Sequence, residues 1–95
     1  DIIFIFDKNY VFKNYITHST SLLYADSKNF IDKNVNEVLP ANIAKQTIEA
    51  IDKILKKQTH SLITFEYTLT IAGKEKDFEA RITAMNSEEV IVIVR

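Results

Sequence analysis

The sequence predicts an α+β domain: a five-stranded antiparallel sheet with short helices and one long helix on one face. Three observations predict it. Two uninterrupted apolar runs, IIFIF at residues 2–6 and VIVIV at residues 90–94, stand near the two ends of the chain. Two alternating stretches, residues 61–71 and 77–85, adjoin each other. One stripe at helical spacing covers residues 40–57. A strand without polar alternation is buried on both faces, so the two runs belong side by side mid-sheet, with the alternating strands outside them.

Each element follows in order. Residues 2–6 are β-branched and aromatic, as strands favour. Asp7-Lys8-Asn9 is a polar turn, and residues 10–16 (YVFKNYI) form the hairpin partner. Residues 17–39 lack a clean period but hold helix caps: Ser19 or Ser21 for one short turn, Asn34 for VNEVL. Pro40 suits the first turn of the long helix. Ile43, Ala44, Thr47, Ile48, Ile51, Ile54 and Leu55 then share one stripe, with Glu49–Lys53 and Asp52–Lys56 pairs on the polar side. Along 61–71, Ile63, Phe65, Tyr67, Leu69 and Ile71 face inward. Gly73, the only glycine, suits the turn that follows. Phe78, Ala80, Ile82 and Ala84 face inward on the next strand, with Glu79, Arg81 and Thr83 outward.

Composition narrows the function classes. Ninety-five residues make one domain, expected to span 1–95. The chain opens on Asp1 inside an apolar run, so it is expected to be cut from a longer polypeptide. Net charge is −1 with no basic face, which gives nucleic-acid binding little support. No apolar run reaches the roughly 20 residues that cross a bilayer, so no direct membrane insertion is expected. The absence of cysteine excludes disulfides, thiolate catalysis and thiolate metal sites.

Motifs along nearly the whole chain resemble those of PAS domains, the sensory modules of bacterial and archaeal signalling proteins. FIDKNVNEVLP at 30–40 resembles the family's entry to its long helix, with Asp32 where glycine is usual. Phe65-Glu66-Tyr67 and Phe78-Glu79-Ala80-Arg81 resemble a strand pair of one subgroup. Val92-Ile93-Val94-Arg95 resembles the start of the closing motif, which continues Asp-Ile-Thr. His60 also stands at a common glycine position. The resemblance implies a cytoplasmic regulatory domain without catalysis of its own. Arg95 would lead into a linker and an output module such as a histidine kinase or diguanylate cyclase.

In that fold a pocket lies between the inner sheet face and the long helix. The residues expected there are Phe4, Phe6, Phe12, Ile48, Ile51, Ile63, Phe65, Tyr67, Phe78, Ile82 and Val92. They hold a small ligand or simply fill a core. No metal site is expected. Neither is haem, whose axial histidine in such domains lies on or near the long helix; residues 41–57 contain none, His60 reads as a loop residue and His18 as a surface one. Cysteine-linked flavin is excluded by composition.

On the opposite face, inward Phe4, Phe6, Val90, Val92 and Val94 leave Ile3, Ile5, Ile91 and Ile93 outward. An apolar patch of this kind marks an interface, so a homodimer through this face or through flanking helices is expected. Glu79, Arg81 and Arg95 join it as signal-transfer candidates, with Glu66 as a cross-strand partner of the charged pair. Two rival readings stand beside the sensor: a ligand-free dimerisation domain of the same fold, and a cone-shaped α+β enzyme. The enzyme would need inward acid–base residues, and here only Tyr67 carries a polar tip inward.

Overall fold

Alternation and the two apolar runs build the sheet. The computed structural model describes residues 1–17 and 30–95, which form β1 (Ile2–Asp7), β2 (Phe12–Thr17), α1 (Val35–Val38), α2 (Ala41–Ile51), β3 (Leu62–Ile71), β4 (Lys74–Ala84) and β5 (Glu89–Val94). A π-helical turn, Asp52–Lys56, continues α2. All strand pairs are antiparallel, in the order β2-β1-β5-β4-β3. The unbroken runs β1 and β5 are thus central, as expected. Ser19, Ser21 and His18 lie outside the described residues.

The inner face carries the core. Val90, Val92 and Val94 of β5 and Ile82 of β4 are buried in one core with Ile51 and Ala44 of α2. Phe4 and Phe12 meet Phe30 in an aromatic cluster that Phe6 joins through Phe12, with ring centroids 4.3 Å apart for Phe6–Phe12 and 5.1 Å for Phe12–Phe30. Such contacts add about 1 kcal/mol per pair beyond area burial.

Local chemistry fixes the connections. The Asp7 carboxylate accepts from the N–H groups of Asn9 (2.8 Å) and Val11 (3.1 Å), closing the first turn. Tyr10 then takes a left-handed backbone, φ 68°. β2 was expected from residue 10 and begins at Phe12, because that turn consumes Tyr10 and Val11 bridges to Asn34 instead. Asn34 and Glu37 form a reciprocal capping box on α1. Asp32 adopts φ 66°, so the left-handed geometry that suits glycine is kept with an aspartate. Ala72 and Gly73, with φ of 53° and 78°, make the two-residue turn between β3 and β4.

The long helix differs from a plain α-helix at its end. After Ile51 it widens into the π turn, and Lys57 N–H donates to Asp52 C=O at 2.8 Å. This segment is tied to the first turn by side chains. Tyr10 hydroxyl donates to Asp52 Oδ1 (2.6 Å), and Lys56 Nζ donates to the Tyr10 oxygen (2.8 Å). That bond to Tyr10, with Asp52 beside it, holds the Lys56 ammonium above the ordinary lysine range. Of the two expected helix pairs, Asp52–Lys56 forms at 3.4 Å, whereas Glu49 and Lys53 make no ion pair.

Candidate functional site: an apolar cavity under the long helix

Between the sheet and the helices lies a cavity of about 60 Å³. Its described walls are Ile2, Phe4 and Phe6 of β1, Phe12 of β2, Phe30, Val38, Leu39, Ile43 and Thr47 near and on the helices, Phe65, Tyr67 and Leu69 of β3, Phe78 and Ala80 of β4, and Val92 and Val94 of β5. A water needs about 10–15 Å³ of such space, so the cavity has room for a molecule of a few non-hydrogen atoms.

Seven of the residues expected at a pocket line this cavity: Phe4, Phe6, Phe12, Phe65, Tyr67, Phe78 and Val92. Four do not. Ile51 and Ile82 are fully buried core, closed in by neighbours. Ile48 packs half-buried on the edge of the core, and Ile63 faces an open groove beside Gln46, Glu49 and Lys53. Phe30, Thr47 and Ala80 were not foreseen as lining. Small inward residues among large ones are the signal for such a gap, since Thr47 and Ala80 leave unfilled the volume their neighbours would take.

Only two of the described lining residues are polar, Thr47 and Tyr67. Thr47 hydroxyl donates to Ile43 C=O at 2.9 Å, one turn back on α2. Its lone pairs remain available to a guest. The Tyr67 ring stacks on Phe78 at 5.5 Å, and burial pushes its phenol up to about 12. Like any tyrosine it is neutral at physiological pH, and its hydroxyl can donate one hydrogen bond and accept another. Among the described residues no group of three acidic, histidine or cysteine side chains is placed to hold a metal. Nor is any helix there long and apolar enough to cross a membrane.

The other face of the sheet is organised in rows. Ile3 pairs with Ile93 and with Ile16, and Ile5 pairs with Ile91. With Ile16 at 57% and Leu62 at 54% exposure, the apolar band runs wider than the four isoleucines read from the sequence. Beside it, Arg81 pairs with Glu79 on its own strand at 3.1 Å. Glu66 was expected as a cross-strand partner of this pair and forms no ion pair with Arg81. It stands directly across from Glu79, carboxylate against carboxylate, because the register sets like residues opposite. Arg95 occupies the other side of Glu79, exchanging both backbone hydrogen bonds with it, and reaches toward Asp1 at 4.0 Å.

No family model matches the chain, and no curated protein matches it. Solved structures do. A domain of an HTR-like protein from Haloarcula marismortui superposes with a TM-score of 0.66 at 13% identity, covering 99% of this chain and 94% of that one. A sensory box sensor histidine kinase from Vibrio cholerae gives 0.73 at 18%, covering 98% and 78%. The PAS domain of Bordetella pertussis BvgS gives 0.70 at 12%, covering 99% and 74%.

The chain has a PAS fold. Its central strands are the first and last of the described strands, and the cavity lies between the sheet and the helices. The backbone and layer arrangement thus survive at identities of 18% and below.

Proposed function

We propose that this PAS-fold chain is a sensory, non-enzymatic module of a longer signalling protein. A small, largely apolar molecule enters the cavity and is held by Tyr67. The cavity carries this reading: a space lined by large apolar side chains, yet left unfilled around Thr47 and Ala80, with the Tyr67 phenol among its lining residues. Occupancy would shift Phe65, Tyr67 and Val92. Val92 sits on β5 between Ile91 and Ile93, which face the outer side, so a change inside reaches the outer row through one strand. Differential contacts in two states are what such a signal requires. The output module beyond Arg95, a histidine kinase or diguanylate cyclase, belongs to this proposal.

A nuclear magnetic resonance titration with a small apolar probe, xenon, tests the site. Shifts are expected on the rings of Phe65, Tyr67 and Phe78, and are expected to vanish when Ala80→Leu fills the space. Shifts spread evenly over the surface, or surviving in the filled variant, would count against the cavity as a site.

The half-buried isoleucine band, flanked by exposed Ile16, favours a second reading, in which the domain carries no ligand and serves to associate. Here Ile3, Ile5, Ile91 and Ile93 are covered by a flanking helix or by a second copy. The small size of the cavity also supports it.

A further inference from the structure

β3 is an edge of the sheet, and one of its sides has no strand beside it among the described residues. An unpaired edge is a template for another strand, and folded chains guard edges with lysine, proline, bulges or brevity. The opposite edge, β2, is guarded: it has six residues, and Lys13 sits where the register to β1 slips between Ile5 and Phe6. β3 has no such guard. It runs ten residues in unbroken register with β4, holds neither lysine nor proline, and carries one charge, Glu66.

The direction of its free groups follows from β4. Glu79 exchanges both backbone hydrogen bonds with Arg95, so its N–H and C=O point away from β3. Glu66 lies opposite Glu79. Its own N–H and C=O are therefore turned to the free edge, and by alternation so are those of Thr64, Thr68 and Thr70.

β3 is complementary to itself over its greatest length in one register that keeps the glutamates apart and sets Glu66 in a hydrogen-bonded pair. With Tyr67 on a two-fold axis, Glu66 meets Thr68 of the second copy and Thr64 meets Thr70, while Phe65 meets Leu69 on the inner side. That pairing uses nearly the whole strand and keeps the glutamates apart. Centring on Glu66 instead would set two carboxylates face to face, which is unfavourable. Phe65 and Tyr67 are only half-buried in the single chain, whereas Leu69 is buried, so the contact covers inner-face surface left open at this edge. We propose that a second copy of this chain pairs antiparallel along β3, centred on Tyr67, joining two five-stranded sheets into one. The contact is independent of the ligand reading and of the outer isoleucine face.

Because the chain has no cysteine, single introduced cysteines read out the axis. A residue on the axis faces its own copy at a Cα separation of about 4.5 Å, within disulfide reach, and its neighbours do not. Under mild oxidation, Tyr67→Cys is expected to crosslink as a dimer at least ~10-fold faster than Glu66→Cys or Thr68→Cys. Pairing Thr64→Lys with Thr70→Lys sets lysines opposite each other twice, and is expected to weaken dimerisation at least about tenfold. Either single lysine variant is expected to do less. In the Ile5→Glu, Ile93→Glu background the Tyr67→Cys crosslink is expected to persist; its loss would mean that copies meet through the outer face, and would overturn the edge contact alone. Equal crosslinking at the three positions, fastest crosslinking at Glu66→Cys, or a monomer at about 1 mM would overturn it as well.

Discussion

Ile82→Ala is expected to destabilise the domain by about 4 kcal/mol, near the upper end for a buried isoleucine. Ile82 is wholly buried in β4, opposite Ile63 of β3 and Val92 of β5. Removing it leaves a hole in the closed part of the core rather than enlarging the cavity that already exists. A domain of this size has a total stability of about 5–15 kcal/mol, so the loss takes a large share of it. In urea the midpoint is expected to fall by roughly 2–3 M with an unchanged slope. Leu62→Ala, on the outer face at 54% exposure, is expected to stay within about 0.5 kcal/mol. A one-residue slip of register exchanges the two faces of a strand. Equal effects of these two variants would therefore contradict the strand register itself.

The second large effect is a pH dependence. Burial raises the Tyr67 phenol from 10.0 to about 12. In the unfolded chain this phenol loses its proton near its ordinary value, while the folded chain keeps it. Between those two values the folded state binds the extra proton, so stability falls as pH rises. The contribution is complete below the unfolded value and is lost toward the folded one. At about pH 11 it amounts to about 1 kcal/mol. Other tyrosines and the lysines titrate in the same range, so the measurement is a difference. Wild type is expected to lose about that much stability relative to Tyr67→Phe between about pH 8 and about pH 11. A constant difference across that range would mean that the phenol stands in water rather than on the cavity wall.

Much of this architecture was legible in the chain because strands have a period of two. The five outward or inward positions of β5 and the alternation of β3 and β4 follow from that period alone, and the pairing of Ile3 with Ile93 confirms the rows it implies. Central placement of β1 and β5 followed from their lack of polar alternation. Three features were not legible, each for a physical reason. Periodicity gives the direction of a side chain and not its depth. Ile51, Ile82 and Phe65 all point inward, yet two are sealed in the core and one lines a gap, because that depends on the volumes of residues far apart in sequence. Pair choice was the second. Glu66 and Arg81 have opposite charges on one face, but the turn at Ala72-Gly73 sets the register and places Glu66 against Glu79. The third was the end of the long helix, where the widened turn at Asp52–Lys56 coincides with the Tyr10 hydroxyl wedged between Asp52 and Lys56.

The edge strand shows how one sheet carries two kinds of boundary. β2 is short, bulged and marked by a lysine, while β3 is long, regular and nearly uncharged. The cavity is lined by Phe65 and Tyr67, which are also inner-face residues left half-covered on β3. On β3 the cavity is lined by side chains of odd-numbered residues, whereas the free edge presents the backbone groups of even-numbered ones.

Native mass spectrometry of the freshly purified chain, under conditions gentle enough to retain small molecules, tests the central claim most directly. The sensory reading predicts a discrete mass above that of the chain, lost on denaturation and absent from Ala80→Leu. A clean chain mass, identical before and after denaturation and indifferent to Ala80→Leu, would contradict it and leave a PAS fold whose cavity is only a packing gap.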